Sequence, residues 1–116
     1  MEDIKRTGRM AIGHKAVEHQ GVVYVGGLIA TDLTADMKGQ TKQITEKIDA
    51  VLAEHGTSKD KLLSATIFVT DLSLRPKMNE AWAEWLSPEN LPARATIGVA
   101  DLGPNVLIEV TAVAAK

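Results

Sequence analysis

The chain has 116 residues, 45% hydrophobic and 24% charged, with a net charge of 13 − 15 = −2, which fits a single globular domain spanning 1–116 whose core needs no staples. It has no cysteine, which excludes disulfides, thiolate metal sites and cysteine nucleophiles, and no cluster of Lys and Arg of the kind that binds phosphate backbones, which argues against nucleic acid. No apolar run approaches the length of a membrane span, and residues 1–13 lack the apolar segment of a signal peptide, so the expected address is cytoplasmic, away from membranes.

Residues 15–19 alternate polar and apolar and read as a strand. Gln20 and Gly21 make a tight turn to a second strand, Val22, Val23, Tyr24 and Val25, whose β-branched and aromatic side chains suit a pleated surface. Gly26 and Gly27 end it, and residues 31–39 read as a loop. Residues 40–55 read as a helix, because Ile44, Ile48, Val51 and Leu52 fall on one stripe; Gly56 supplies the left-handed residue after it. Residues 62–69 (LLSATIFV) are nearly all apolar, which predicts a strand covered on both faces. Residues 74–86 read as a second helix, with Pro76 in its first turn and Met78, Trp82 and Trp85 on one face.

The last third predicts two strands, 94–100 and 106–112, joined as a hairpin by the turn-rich stretch 101–105. Val106, Ile108, Val110 and Ala112 share a face. Leu107 and Val113 make the opposite face partly apolar, which points to a subunit interface. The order β-β-α-β-α-β-β predicts an α+β domain, a mixed sheet with two helices on one face.

Two residues stand out chemically. Glu109 has apolar neighbours along its strand; it is either a carboxylate facing water or an edge, or a desolvated acid/base or water-orienting group. Arg94 opens a strand of small residues; it is either a surface arginine or a bidentate fork for a carboxylate. His14, His19 and His55 have no metal-ligand spacing, so no metal is expected. His55 reads as a dipole contact at a helix end. Gly26 and Gly27 do not have phosphate-loop spacing. Trp82 and Trp85 read as core or interface anchors, and no serine has the context of a hydrolase nucleophile.

Several segments resemble the RidA/YjgF family in order and spacing. The stretch 22–30 (VVYVGGLIA) looks like the family's strand ending in a Ser-Gly-Gln turn. Residues 40–56, 64–72 and 78–85 resemble its first helix, central strand and second helix. The stretch 92–99 (PARATIGV), followed by 108–112 (IEVTA), is the most specific match. The likeness covers residues 14–114.

The resemblance implies a chorismate-mutase-like fold, a homotrimer with sites between subunits, no cofactor, and hydrolysis of 2-imino and 2-enamino acids to keto acids and ammonia. It implies that Arg94 grips the carboxylate of a small-molecule substrate and that Glu109 orients or activates the attacking water. Thr96, Asn79 and Gly26 fall at site-lining positions. The sequence departs from the family at two points. The Gly-Pro-Tyr segment is absent, with Gly13 where the tyrosine would stand, and Gly26 replaces the serine of the Ser-Gly turn. Both lost residues carry hydroxyls, and this supports a second expectation, a non-catalytic binder or sensor of small keto acids at Arg94. A third, ribonuclease activity, fits the acidic balance worst.

Overall fold

The computed structural model describes residues 3–116; Met1 and Glu2, the start of the polar stretch read as no signal peptide, lie outside the described residues. The elements are β1 (Lys5–Arg9), β2 (His14–His19), β3 (Val22–Leu28), α1 (Met37–Glu54), β4 (Leu62–Val69), α2 (Arg75–Trp85), β5 (Ala93–Gly98) and β6 (Ile108–Ala115). The strands form one mixed sheet ordered β1-β2-β3-β6-β4-β5, antiparallel except between β4 and β5. Both helices cover the face that carries Val23, Val25, Ala65, Ile67, Ile108 and Val110, which form the core with Ile44, Ile48 and Leu52 of α1 and Met78 and Trp82 of α2. This is the α+β layout expected.

The β2–β3 turn has φ of 51° at Gln20 and 75° at Gly21, the paired positive values of a tight hairpin turn matched to strand twist. Asp36 caps α1 by accepting from the Gly39 N–H at 2.9 Å, so the helix starts three residues before the apolar stripe indicated. Gly56 has φ 71° after its last turn, as the sequence predicts. Strand β3 does not end at Gly26 and Gly27. It runs through them to Leu28, with an irregularity in its pairing to β6 between Val25 and Leu28. Two residues there stand between inward-facing side chains where a regular strand has one.

The predicted C-terminal hairpin is not there. β5 and β6 are separated by β4: β5 lies at the sheet edge, parallel to β4, while β6 occupies the centre between β3 and β4. The α2 crossover makes β4 and β5 parallel, as a strand–helix–strand connection does. Residues 99–107 then pass across the end of β4. They are tied by the Val99 N–H to the Val69 carbonyl at 2.9 Å and the Thr70 N–H to the Leu107 carbonyl at 3.1 Å. Buried Gln40 of α1 secures this passage, donating to the Asn105 carbonyl at 3.0 Å and accepting from the Leu107 N–H at 3.0 Å. The alternating, apolar β6 fits the centre better than the more polar β5.

Strand β4 is covered on one face only within the chain. Leu62, Ala65, Ile67 and Val69 are buried, while Ser64, Thr66 and Phe68 are half-buried on the other side.

Strand β1 falls in a stretch that sequence reading left without structure. It is the outermost strand, mostly exposed and rich in Lys and Arg. What anchors it is His55. Rather than contacting only the helix end, His55 is 1% exposed and sits between Thr7 Oγ1 at 2.8 Å and Glu18 Oε1 at 2.8 Å. Lys116 donates to the other Glu18 oxygen at 3.0 Å. The His55 hydrogen bond, then the Lys116 one, hold the Glu18 carboxyl below the usual glutamate range.

Candidate active site

Arg94 lies on β5 directly opposite Ala65 of β4. Cross-strand partners share a face, and Ala65 is on the helix-covered one. The guanidinium accordingly lies over Trp82 of α2, its Cζ 5.5 Å from the ring centroid. Such stacking contributes about 0.5–1 kcal/mol at an exposed site and, more to the point, orients the planar fork. Trp82 is itself fixed. Its ring meets Trp85 edge-on, with centroids 5.2 Å apart at 72°, and the Trp85 Nε1–H is shared between the two Asp49 oxygens at 3.0 and 3.1 Å.

Asn79, Trp82 and Ala83 of α2, with Leu91, Pro92 and Arg94, line an open cavity of about 520 Å³. No carboxylate pairs with Arg94 among the described residues. Thr96, two residues further along β5 and opposite Ile67, faces the same side. The structure thus brings Arg94 and Asn79 to one cavity, with Thr96 beside it on the strand.

Glu109 stands apart. It pairs with Phe68 across β4 and β6, on the face away from the helices. It makes no hydrogen bond or ion pair among the described residues. Its carboxylate lies over Gly27, so close that a Cβ there would overlap Oε2. Gly26, the glycine that sequence comparison singled out, instead abuts β2: a Cβ on it would meet the His14 carbonyl at 3.0 Å. Within one chain the sheet separates Arg94 from Glu109.

Two roles in this region escaped sequence reading. Trp82 is buried, as the reading of a core or interface anchor expects, and it also supports Arg94; its i, i+3 spacing from Asn79 was the available signal. Gly27 makes room for the glutamate, and only knowledge of the register reveals it. Gly13 is exposed in the β1–β2 turn, where the Met10 N–H bonds its carbonyl at 2.8 Å, and His14 begins β2 half-buried. Among the described residues no group of His, Asp and Glu could hold a metal ion, and no helix is long and apolar enough to cross a membrane.

A two-layer α+β domain with an aromatic-braced arginine at the sheet edge is the class of protein that these features define. The chain belongs to the RidA/YjgF family: the family model described as Endoribonuclease L-PSP matches residues 10–116. A RutC family protein of Haemophilus ducreyi is 36% identical over 97 residues, covering 84% of this chain and 83% of its own. A crystal structure of a Pseudomonas aeruginosa protein superimposes with a TM-score of 0.94 at 29% identity, covering 98% of this chain and 99% of that one. A member of the YjgF family from Neisseria meningitidis gives 0.93 at 28% identity, covering 98% and 95%.

Proposed function

We propose that the chain hydrolyses 2-imino and 2-enamino acids to 2-keto acids and ammonia, with the substrate carboxylate held by Arg94. The observation that carries this reading is a guanidinium braced on Trp82 at the mouth of a cavity, with no carboxylate partner among the described residues. A 2-enamino acid first gains a proton at its β carbon and loses one from nitrogen to become the imine; water then adds to the C=N carbon, its protons pass to nitrogen, the C–N bond breaks, and ammonia leaves behind a carbonyl. An imine carbon is already electrophilic, so the protein's task is to position acid and water, a proximity effect. Glu109 orients that water and takes up its proton. Family membership and the free carboxylate over Gly27 support this role.

Arg94 and Glu109 of one chain face opposite sides, so the complete site is assembled between copies. Arg94, Asn79 and Thr96 come from one protomer; Glu109 and the Gly26 turn come from its neighbour in a homotrimer. The half-buried Phe68 and Val113 and the exposed Tyr24, all on the face away from the helices, supply apolar surface for such an interface. Sedimentation should then report a species near three times 12.4 kDa.

The direct test is a coupled assay in which an amino-acid oxidase generates imino acids and semicarbazide traps them. Wild type should lower trapping and Arg94→Ala should not, because losing one partner of a desolvated charge pair costs about 2–5 kcal/mol. An Arg94→Ala variant as active as wild type sinks the assignment. A second reading, a binder of small keto acids without turnover, is favoured by Gly13 and Gly26, which leave the site without the two hydroxyls the family places there. Thermal stabilisation by keto acids with no effect on trapping selects it. The family model's name mentions a ribonuclease, but Arg94 is the one cation lining the cavity, and a polyanion needs several.

A further inference from the structure

We infer that the substrate bears a bulky apolar side chain, branched aliphatic or aromatic, that packs against Trp82, Leu91 and Pro92, and that Ala83 sets how large it can be. The inference rests on Arg94 being the carboxylate fork. The cavity has a polar end and an apolar end. Arg94 and Asn79 offer the hydrogen bonds; among the side chains of Trp82, Ala83, Leu91 and Pro92 the indole N–H of Trp82 is the only polar group.

Its volume of about 520 Å³ falls within the roughly 300–1,000 Å³ typical of pockets that enclose whole ligands. A three-carbon imino acid held at Arg94 has no side chain long enough to cover Trp82, Leu91 and Pro92. Leu91 is 56% exposed, an apolar rim beside a charged fork, and a ligand that is anionic at one end and apolar at the other covers both. Arg94 already occupies one face of Trp82, so the side chain packs chiefly against Leu91 and Pro92 beside it. Ala83 is exposed on α2, next to Trp82, and its methyl is the smallest side chain of the wall. A larger residue there would fill the apolar end before it reached Arg94.

The experiment compares the stable products as ligands of the full chain: pyruvate, 4-methyl-2-oxopentanoate and phenylpyruvate, by titration calorimetry on wild type, Ala83→Leu and Arg94→Ala. Hydrophobic pockets discriminate by about 10–200-fold per methylene-sized difference. Wild type should therefore prefer a bulky keto acid over pyruvate by tenfold or more, and Ala83→Leu should reduce that ratio by tenfold or more. Leucine is a strong helix former at an exposed helical site, so this variant folds, and circular dichroism verifies it. If pyruvate binds in an Arg94-dependent way but no acid is preferred, or if Ala83→Leu leaves the ratio unchanged, the side-chain pocket is wrong while the carboxylate fork stands. If no keto acid binds wild type, both fall. The imine assay with leucine, phenylalanine and alanine as precursors should give the same order in kcat/KM.

Discussion

Replacing Thr7 by valine removes one oxygen from a buried site and tests how the outermost strand is held. The Glu18 carboxylate accepts only, so the His55 nitrogen facing it, Nδ1, carries the hydrogen. In the neutral ring Nε2 then accepts from the Thr7 hydroxyl, at 2.8 Å. Valine has nearly the shape of threonine and leaves Nε2 bare in a site where the histidine is 1% exposed. An unsatisfied buried acceptor costs about 1–3 kcal/mol. With a urea m-value of about 1.5 kcal/mol/M for a small domain, a loss of about 2 kcal/mol lowers the unfolding midpoint by about 1.3 M. Protein concentration must be held fixed, because association adds to apparent stability. Thr7→Ser keeps the hydroxyl and should recover most of the midpoint. Equal midpoints for Thr7→Val and wild type at neutral pH would refute the reasoning, leaving β1 held by its backbone pairing to β2 alone.

Glu18 carries a pH signature. Its folded-state carboxyl titrates below the ordinary range because His55, then Lys116, hydrogen-bond to it, so the stability it contributes is full above about pH 4.3 and is lost as pH falls through the lowered value. Glu18→Gln should flatten the acid side of a midpoint-versus-pH curve relative to wild type; the residual slope comes from Asp32 and Asp71, whose carboxyls are also held low by hydrogen bonds from Thr34 and Ser73. Gln40→Leu strips partners from the half-buried Leu107 N–H and the Asn105 carbonyl and should destabilise by about 1–3 kcal/mol in all, read as a lower urea midpoint. Gly27→Ala should leave the fold intact, since the group it displaces is the tip of the flexible Glu109 side chain. It should cut imine turnover tenfold or more while keto-acid binding at Arg94 persists; unchanged turnover would remove Glu109 from the reaction.

The parts of the fold legible in the sequence were those set by local periodicity. The Ile44–Leu52 stripe located α1 because burial of one helix face repeats every 3.6 residues, and the alternation from Val106 to Ala112 marked the inward side of β6. Strand β1 carried no such signal: its inward residue, Thr7, is polar, and its partner lies 48 positions away at His55. The C-terminal hairpin was misread because turn-forming residues at 101–105 look the same whether the chain reverses beside its neighbour or crosses over another strand. Gln40, first residue of the predicted helix, gave no sign of burial, since its hydrogen-bond partners are backbone groups of that passage and of the loop before α1. Arg94 and Glu109 both stand out in the sequence, but their opposite facing depends on two separate registers to β4, Ala65 with Arg94 and Phe68 with Glu109, which no single segment encodes.

The central place of β6 bears on how the protein is made. During synthesis from the N-terminus, β3 and β4 emerge well before residues 108–115, and each waits with an unpaired, apolar edge. The strand that closes both edges is the last element of this sequence to leave the ribosome, so the sheet completes only once its final ladder of long-range pairs can form. Such non-local pairing is intrinsically slow. In that interval the two halves are the stretch of this chain most prone to pair with another copy or to need a chaperone, and a ribosome stalled shortly before residue 108 would hold a sheet split down its middle.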